Sequence, residues 1–100
     1  MRLAPKDLEN IISTFKECFT ETDHLWLFGS RVDDAKRGGD IDLYIEATDF
    51  DTHRLFNARL KFWGLLQDRL GEQKIDIVLR DPKQDLLIYK VAQEEGILLV

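Results

Sequence analysis

Residues 29–46, GSRVDDAKRGGDIDLYIE, contain the pattern that decides the fold of this chain. A glycine-serine pair follows an apolar segment, a polar loop comes next, and a second apolar segment opens with Asp40-Ile41-Asp42. Successive side chains of a strand face opposite sides, so Asp40 and Asp42 project from one face with their Cα atoms roughly 6.5 Å apart. Aspartate is disfavoured in strands, and like charges on one face repel. The pair therefore indicates a site for divalent cations beside a phosphate-binding turn.

A third acid lies in the next apolar segment, residues 74–79, KIDIVL. Its side chains at 75, 77 and 79 share one face of a strand, which leaves Asp76 on the other face. An isolated acid in a short strand is unremarkable. Because neighbouring strands lie only about 4.8 Å apart, however, Asp76 is predicted to complete the coordination shell begun by Asp40 and Asp42.

The turn before the acids is predicted to bind phosphate. Small residues at Gly29 and Ser30 allow a phosphate to approach the backbone, where the free amides at a helix start point towards it. Taken alone, the pair fits a simple tight turn equally well, and the Asp-x-Asp sequence behind it favours phosphate. Arg31, Lys36 and Arg37 are candidates for neutralising a triphosphate, with Arg31 nearest the turn. Cations of a surface loop that are merely solvated are the alternative.

Size and composition indicate one globular domain spanning residues 1–100, with 44% hydrophobic and 33% charged residues. The sequence contains neither a signal peptide's apolar stretch nor the roughly 18–20 apolar residues of a membrane span. Cys18 is the only cysteine, which excludes an intrachain disulfide and predicts a cytoplasmic protein. The net charge of -5 argues against an extended nucleic acid as the main partner.

The order of predicted elements is helix, strand, helix, strand, helix, strand, helix, strand. The predicted segments are a helix after Pro5, a strand at 25–28, a short helix from Ser30 to about Lys36 ended by Gly38-Gly39, the Asp40 strand, a long helix at 51–70, the Asp76 strand, a helix from Leu86 closed by Gly96, and a tail at 97–100. This order predicts an α+β fold. Helices should pack mainly on one face of a mixed β-sheet, which leaves the other face for the acids.

The chemistry available to the site is that of oxygen ligands. Such ligands favour Mg²⁺, with Mn²⁺ as a substitute. His24 and His53 stand alone without the spacing of a zinc site. No Ser-His-Asp arrangement is visible, so acyl transfer has no support.

The combined pattern resembles the nucleotidyltransferase superfamily of DNA polymerase β, and within it the minimal nucleotidyltransferase domains of prokaryotes. An apolar strand, Gly29-Ser30, the Asp40 and Asp42 pair and the later Asp76 stand where that family has its motif. The resemblance spans about residues 25–79 and implies a palm-like fold. It also implies a two-metal enzyme in which Asp40, Asp42 and Asp76 bind the ions and Gly29, Ser30 and Arg31 bind the nucleotide.

The resemblance further implies transfer of a nucleoside monophosphate from a nucleoside triphosphate, with ATP favoured, to a hydroxyl acceptor. Minimal members are commonly paired with a separate helical protein of the HEPN type. Several such pairs act as toxin and antitoxin, and in some of them the nucleotidyltransferase adenylylates its partner. The same role is a hypothesis for this chain.

A second hypothesis is a catalytically silent, nucleotide-binding antitoxin or assembly subunit that acts by protein binding alone. Apolar residues beyond the normal stripe of the long helix, Phe56, Leu60 and Trp63, fit either hypothesis, as does the apolar tail at 97–100. A core helix with an aromatic edge is the alternative interpretation of the helix. The sequence leaves open the nucleotide, the acceptor, the identity of the partner and self-association into a homo-oligomer.

Overall fold

A computed structural model describes residues 3–32, 40–71 and 73–100 of the chain. The elements along the chain are α1 (Pro5–Cys18), β1 (Asp23–Phe28), a 3₁₀ helix (Gly29–Val32), β2 (Ile41–Ala47), α2 (Thr52–Leu70), β3 (Ile75–Leu79), α3 (Leu87–Glu95) and β4 (Ile97–Leu98). Their strands form one sheet in the order β3-β2-β1-β4. β1 runs antiparallel to β2 and β4, whereas β2 and β3 are parallel. The predicted α+β class with a mixed sheet is confirmed.

One face of the sheet carries the main core, which packs beneath α1 and α2. Alternation along β2 sends Ile41, Leu43 and Ile45 to this face, where all of them are buried. From the helices, the Phe15 and Phe62 rings meet edge to face with their centroids 5.7 Å apart. Strand residues that alternate at every second position and helix residues that recur about every 3.6 positions therefore pack together in one apolar layer.

The opposite face of the sheet is partly covered by α3. Tyr89 and Ala92 of α3 pack against Phe28 and Tyr44 of the strands in a second apolar cluster. The prediction that helices pack mainly on one face holds for α1 and α2, while α3 lies on the face that carries the acids. Because that face is apolar at Phe28 and Tyr44, it has to be shielded from water there.

The apolar tail joins the sheet as the last strand of the predicted order. Ile97 and Leu98 form β4 against β1, and Leu99 and Val100 pack against the main core. Gly96 makes the approach feasible, because a Cβ there would lie 2.2 Å from the carbonyl oxygen of Ala92. The helix predicted from Ser30 appears as the 3₁₀ helix through Val32. Its predicted continuation to Lys36, with Arg37 and Gly38-Gly39, lies outside the described residues. No helix within the described ranges has the length and apolar character needed to cross a membrane.

A buried ion pair lies at the start of β1. The Asp23 side chain is fully buried and accepts hydrogen bonds from Arg54 on α2 at 3.0 Å and from the Thr20 amide at 2.9 Å. Burial opposes ionisation of Asp23, but the bonds from Arg54 and Thr20 outweigh it and hold the pKa of Asp23 below its usual value. The pair therefore couples α2 to β1 through charge.

Replacing Asp23 by asparagine is expected to lower the free energy of unfolding at neutral pH by about 2–3 kcal/mol, because Arg54 and Thr20 lose a charged acceptor. A depressed pKa contributes stability above the unfolded pKa, and that contribution is lost as the pH falls through the folded pKa. Wild type and variant should therefore converge in acid. Urea unfolding at several pH values measures the effect, with Asp85→Asn, an exposed acid, as the control. A constant difference down to pH 2 would contradict the assignment.

Candidate functional site

The predicted acids lie at one end of the sheet, where β1 ends and β2 and β3 begin. Asp42 is paired with Phe28 on β1 and with Asp76 on β3. Paired residues of parallel neighbours point to the same face, so the carboxylates of Asp42 and Asp76 share the face opposite the main core. We call this part of the sheet, defined by Asp40, Asp42 and Asp76, the acid end.

Gly29 turns the chain immediately beside Asp42. Its φ angle is +79°, in the left-handed region that favours glycine. A Cβ added to Gly29 would lie 2.2 Å from Oδ2 of Asp42, well inside van der Waals contact. The carboxylate therefore sits directly against the turn, and the sequence places glycine where only glycine leaves it room.

The electrostatics of the acid end favour a bound cation. Burial raises the pKa of the Asp42 carboxyl above its usual value, and the negative charges of Asp76 and Asp40 raise it further, while Lys74 lowers it. An acid with a raised pKa holds its charge at a cost in free energy. A cation between these groups would remove that cost, because opposite charge favours the ionised form.

Asp40 precedes β2 and forms an ion pair with Lys74, whose Nζ lies 3.4 Å from Oδ2 of Asp40. The pairing follows from the sheet register: Asp42 faces Asp76, so the positions two residues earlier in each strand also face each other. Both side chains are open to water, and exposed ion pairs of this kind contribute little stability. Lys74 is therefore a counter-charge that a cation can displace.

The predicted nucleotide-binding cation Arg31 lies in the 3₁₀ helix, and its Nη2 donates to Oε1 of Gln73 at 3.4 Å. Gln73 in turn donates from Nε2 to the carbonyl oxygen of Leu70 at 3.1 Å. Ser30 and Arg31 also make interactions with other parts of the protein. Arg31 is thereby tied to the segment that leads into β3, close to Lys74. Lys36 and Arg37 lie outside the described residues.

The acids are brought to one end of the sheet without forming a closed metal cage. Within residues 3–32, 40–71 and 73–100, no group of three or more His, Cys, Asp or Glu side chains is gathered closely enough to hold a metal ion. Asp42 and Asp76 are in register, whereas Asp40 is turned to Lys74. Among the described residues, the acid end thus has two acids in register and a third paired with a lysine.

A polar network on the same sheet face as the acids links β2 to α3. The hydroxyl of the buried Tyr44 donates to Oε2 of Glu46 at 3.0 Å, and Gln93 of α3 donates to the same oxygen. Burial raises the pKa of Tyr44 to about 12, a hydrogen bond from Arg80 acts against this, and Glu46 adds to it. The Tyr44 hydroxyl therefore stays protonated at physiological pH and donates to Glu46.

A shallow pocket opens on the outer side of β3. Its volume is about 240 Å³, and its walls come from α2 and from β3: Arg59, Leu60, Trp63, Ile75, Asp76 and Ile77. Asp76 therefore borders both the acid end and this pocket. Leu60 and Trp63, two of the three apolar residues of α2 singled out in the sequence, line this pocket. Phe56, Leu60 and Trp63 are 51%, 52% and 47% exposed.

Lys74 and Gln73 were missed by sequence reasoning, although a signal for Lys74 exists. The segments DID at 40–42 and KID at 74–76 align once the two strands are taken as parallel neighbours. Lysine then faces the first aspartate and aspartate faces the second. Gln73 has no comparable signal, because its contact to Arg31 depends on the path of the loop before β3.

Residues 9–100 match the protein family described as polymerase beta, nucleotidyltransferase. No curated protein shows significant sequence similarity to this chain. The match spans nearly the whole domain, from within α1 to the end of the tail. It also includes the turn at Gly29 and the acids at the start of β2 and β3. The chain therefore belongs to the polymerase β nucleotidyltransferase family, whose members act on nucleotide substrates.

Proposed function

We propose that this chain is a Mg²⁺-dependent nucleotidyltransferase that moves AMP from ATP to a hydroxyl group of a separate helical protein of the HEPN type. The observation that carries the proposal is the register of Asp42 with Asp76 directly beside the turn at Gly29. This arrangement places two carboxylates beside a glycine, whose backbone carries no side chain. Such a site suits a triphosphate that arrives together with divalent cations.

The donor set fits Mg²⁺, because its groups are carboxylate oxygens. Burial, together with the charges of Asp76 and Asp40, raises the pKa of Asp42. Asp40, Asp42 and Asp76 would hold the metal, with Mn²⁺ as a substitute. When bound, the ions neutralise phosphate charge and polarise the reacting oxygens. Release of Asp40 from Lys74 costs little, since both side chains are exposed to water.

The residues of the turn have a positioning role in the proposal. Gly29 lets the turn lie against the Asp42 carboxylate, beside which the phosphate would bind, and Ser30 would offer its hydroxyl to that phosphate. Arg31 would pair with phosphate charge while Gln73 holds its guanidinium near the entrance to β3. Attack by the acceptor oxygen on the α-phosphorus, in line with the leaving oxygen, forms the new ester and releases pyrophosphate.

A protein acceptor is supported by two features of the chain and by its resemblance to the minimal nucleotidyltransferases. The net charge of -5 disfavours a polyanionic acceptor. The described residues expose a row of large apolar side chains on α2, beside the pocket that Asp76 borders. Pairing with a helical HEPN protein is what the minimal members of the family imply, and an exposed row of this kind is typical of a protein interface.

Co-purification from the native host tests the proposal. We expect a stoichiometric helical partner, and incubation of the pair with Mg²⁺ and ATP labelled at the α-phosphate should label that partner on a hydroxyl side chain. The Asp76→Asn variant is the control, because it should keep the partner and lose the label. Efficient transfer to a small molecule by the isolated chain, without any partner, would contradict the proposal.

A catalytically silent antitoxin or assembly subunit is the second candidate. It is favoured by the absence of a gathered metal cluster among the described residues and by the Lys74 counter-charge on Asp40. The same experiment separates the two functions. A partner recovered from the host but never labelled would establish the binding-only role.

A further inference from the structure

In the part of the chain that the structure describes, no strand pairs with the outer edge of β3. Within the described residues β3 has β2 as its neighbour in the sheet, and it lies at the sheet margin. Lys74 accepts from the Ile41 amide, and the Arg80 amide donates to Ile45. Because alternate residues of a strand turn their backbone groups the same way, the N–H and C=O groups of 75, 77 and 79 point away from β2. An unpaired strand edge of this kind is a template for another strand.

An apolar wall stands beside this open edge. Leu60 and Trp63 of α2 are about half exposed and line the pocket at the first residues of β3, together with Arg59. We define the edge groove by Leu60, Trp63 and the backbone of 75–77. Leu60 and Trp63 form its apolar side, and Asp76 forms its border with the acid end.

We propose that the edge groove binds an extended segment of a partner protein with the pattern apolar–hydroxyl–apolar. The segment pairs antiparallel with β3 and presents its central Ser, Thr or Tyr as the acceptor hydroxyl. This inference rests on the proposed nucleotidyl transfer and specifies how its acceptor is recognised.

The geometry of an antiparallel pair fits the acceptor role. Residues of the segment opposite Ile75 and Ile77 exchange both backbone hydrogen bonds with them, and their side chains point into the groove beside Leu60 and Trp63. The residue between them faces Asp76 in a non-hydrogen-bonded pair, with Cα atoms about 4.5 Å apart. Its side chain lies on the same face as the carboxylate of Asp76, at the acid end.

A polypeptide strand is the occupant that these features select. The open edge offers alternating donors and acceptors, which a polypeptide strand complements, whereas a nucleic-acid strand would bring phosphates to the acids. A second copy of this chain that paired through its own β3 would bring no hydroxyl to Asp76, because residues 74–80, KIDIVLR, contain no Ser, Thr or Tyr.

The reaction balances with ATP as the other substrate. The hydroxyl oxygen of the segment forms a bond to the α-phosphorus, and the bond from that phosphorus to the oxygen bridging the β-phosphorus breaks. Pyrophosphate leaves, and solvent takes up the hydroxyl proton. The product is a phosphodiester between AMP and the segment.

Peptide binding tests the docking independently of transfer. The probes are acetylated, amidated heptapeptides with serine at the centre and valine, leucine or phenylalanine at each flanking position. In amide NMR spectra of the labelled protein, at least one probe should shift the signals of Ile75, Ile77 and residues of α2 near Trp63. The same peptide with N-methylated flanking residues should bind at least about tenfold more weakly, because its hydrogen-bond donors are gone. Absence of shifts with every probe overturns the proposal.

A matched pair of variants locates the groove. Leu60→Lys should weaken peptide binding about tenfold by removing apolar contact. Leu87→Lys, the same change at an exposed site on α3, should leave binding unchanged. Equal effects of both variants would overturn the assignment. So would a free protein that light scattering shows to be a dimer with the amides of 75 and 77 already at the interface.

Transfer is followed on the same samples. With labelled ATP and Mg²⁺, the serine peptide should be labelled and its alanine counterpart should bind without being labelled. ATP affinity measured by calorimetry reports the proposed function separately. ATP binding without peptide binding overturns the groove alone, and peptide binding without ATP binding overturns the nucleotidyltransferase. Binding of both without label overturns the acceptor role of the central hydroxyl.

Discussion

Replacement of Asp42 by asparagine is expected to abolish nucleotidyl transfer and, at the same time, to stabilise the metal-free protein. The loss of one ligand charge removes several kcal/mol of transition-state stabilisation, or about a thousandfold in rate. The gain in stability has a different origin. Burial and the neighbouring acids raise the pKa of Asp42, so its ionised form opposes folding at neutral pH.

The sign of this effect is fixed by proton linkage. When the folded pKa is raised, the native state binds more protons than the unfolded state between the ordinary value of 3.8 and the folded pKa. Stability therefore falls as the pH rises through that window, and it stays lower above it. The asparagine variant lacks this fall, so its melting temperature should exceed that of the wild type at pH 7 and match it in strong acid.

Thermal unfolding with and without Mg²⁺ and a nonhydrolysable triphosphate completes the measurement for Asp42. Ligands should raise the melting temperature of the wild type and leave the asparagine variant unchanged, because binding to the folded state alone stabilises it. Asp85→Asn, an exposed acid outside the strands, is the control and should behave as the wild type. A variant that is less stable at pH 7 would refute the electrostatic account, and one that retains transfer would remove Asp42 from the mechanism.

Replacement of Gly29 by alanine is expected to remove nucleotide binding and to destabilise the fold by about 2 kcal/mol or more. The new Cβ is forced into a backbone with a φ of +79° and meets Oδ2 of Asp42 at 2.2 Å. Relief of the collision must move the carboxylate or open the turn. Either movement alters the place where phosphate and cation are proposed to bind.

Gly71 supplies a matched control for Gly29. Its φ is +80°, but no neighbouring atom lies within 4 Å of an added Cβ. Gly71→Ala therefore reports backbone strain alone, and the excess loss in Gly29→Ala reports the contact with Asp42. Chemical denaturation gives the two losses in stability, and calorimetry gives the affinity for Mg²⁺ and ATP. Equal losses in stability, or unchanged ATP affinity in Gly29→Ala, would contradict the close packing of turn and carboxylate.

The sequence predicted the strands and their faces well, because alternation is a local property. The alternation alone predicted that Ile41, Leu43 and Ile45 lie on one face of their strand and Asp42 on the other. The same rule placed Asp76 in its strand. The alignment of these strands was not available, since register depends on the loops between them. The ion pair of Lys74 with Asp40 follows from that register, and so it appeared only in the structure.

The placement of α3 shows a second limit. Its spacing predicted a helix with an apolar side, but an apolar stripe does not specify which face of a sheet it covers. Tyr89 packs on the sheet face that carries the acids because Phe28 and Tyr44 place apolar side chains there. The roles of Asp40, Asp42, Asp76, Gly29, Ser30 and Arg31 in binding metal and nucleotide stay predictions until the variants are measured.

The two ends of the sheet differ in the charges that lie next to their acids. This difference predicts which end unfolds locally at the lower cost in free energy. At the start of β1, Asp23 is matched by Arg54 and fastened to α2. At the other end, Asp42 is in register with Asp76, and repulsion between the two carboxylates destabilises the folded state there. Local unfolding should cost least free energy at the acid end, in the first residues of β2 and β3. A cation that binds between Asp42 and Asp76 is therefore expected to raise the free energy of local unfolding at the acid end and to leave that of the Asp23 end unchanged.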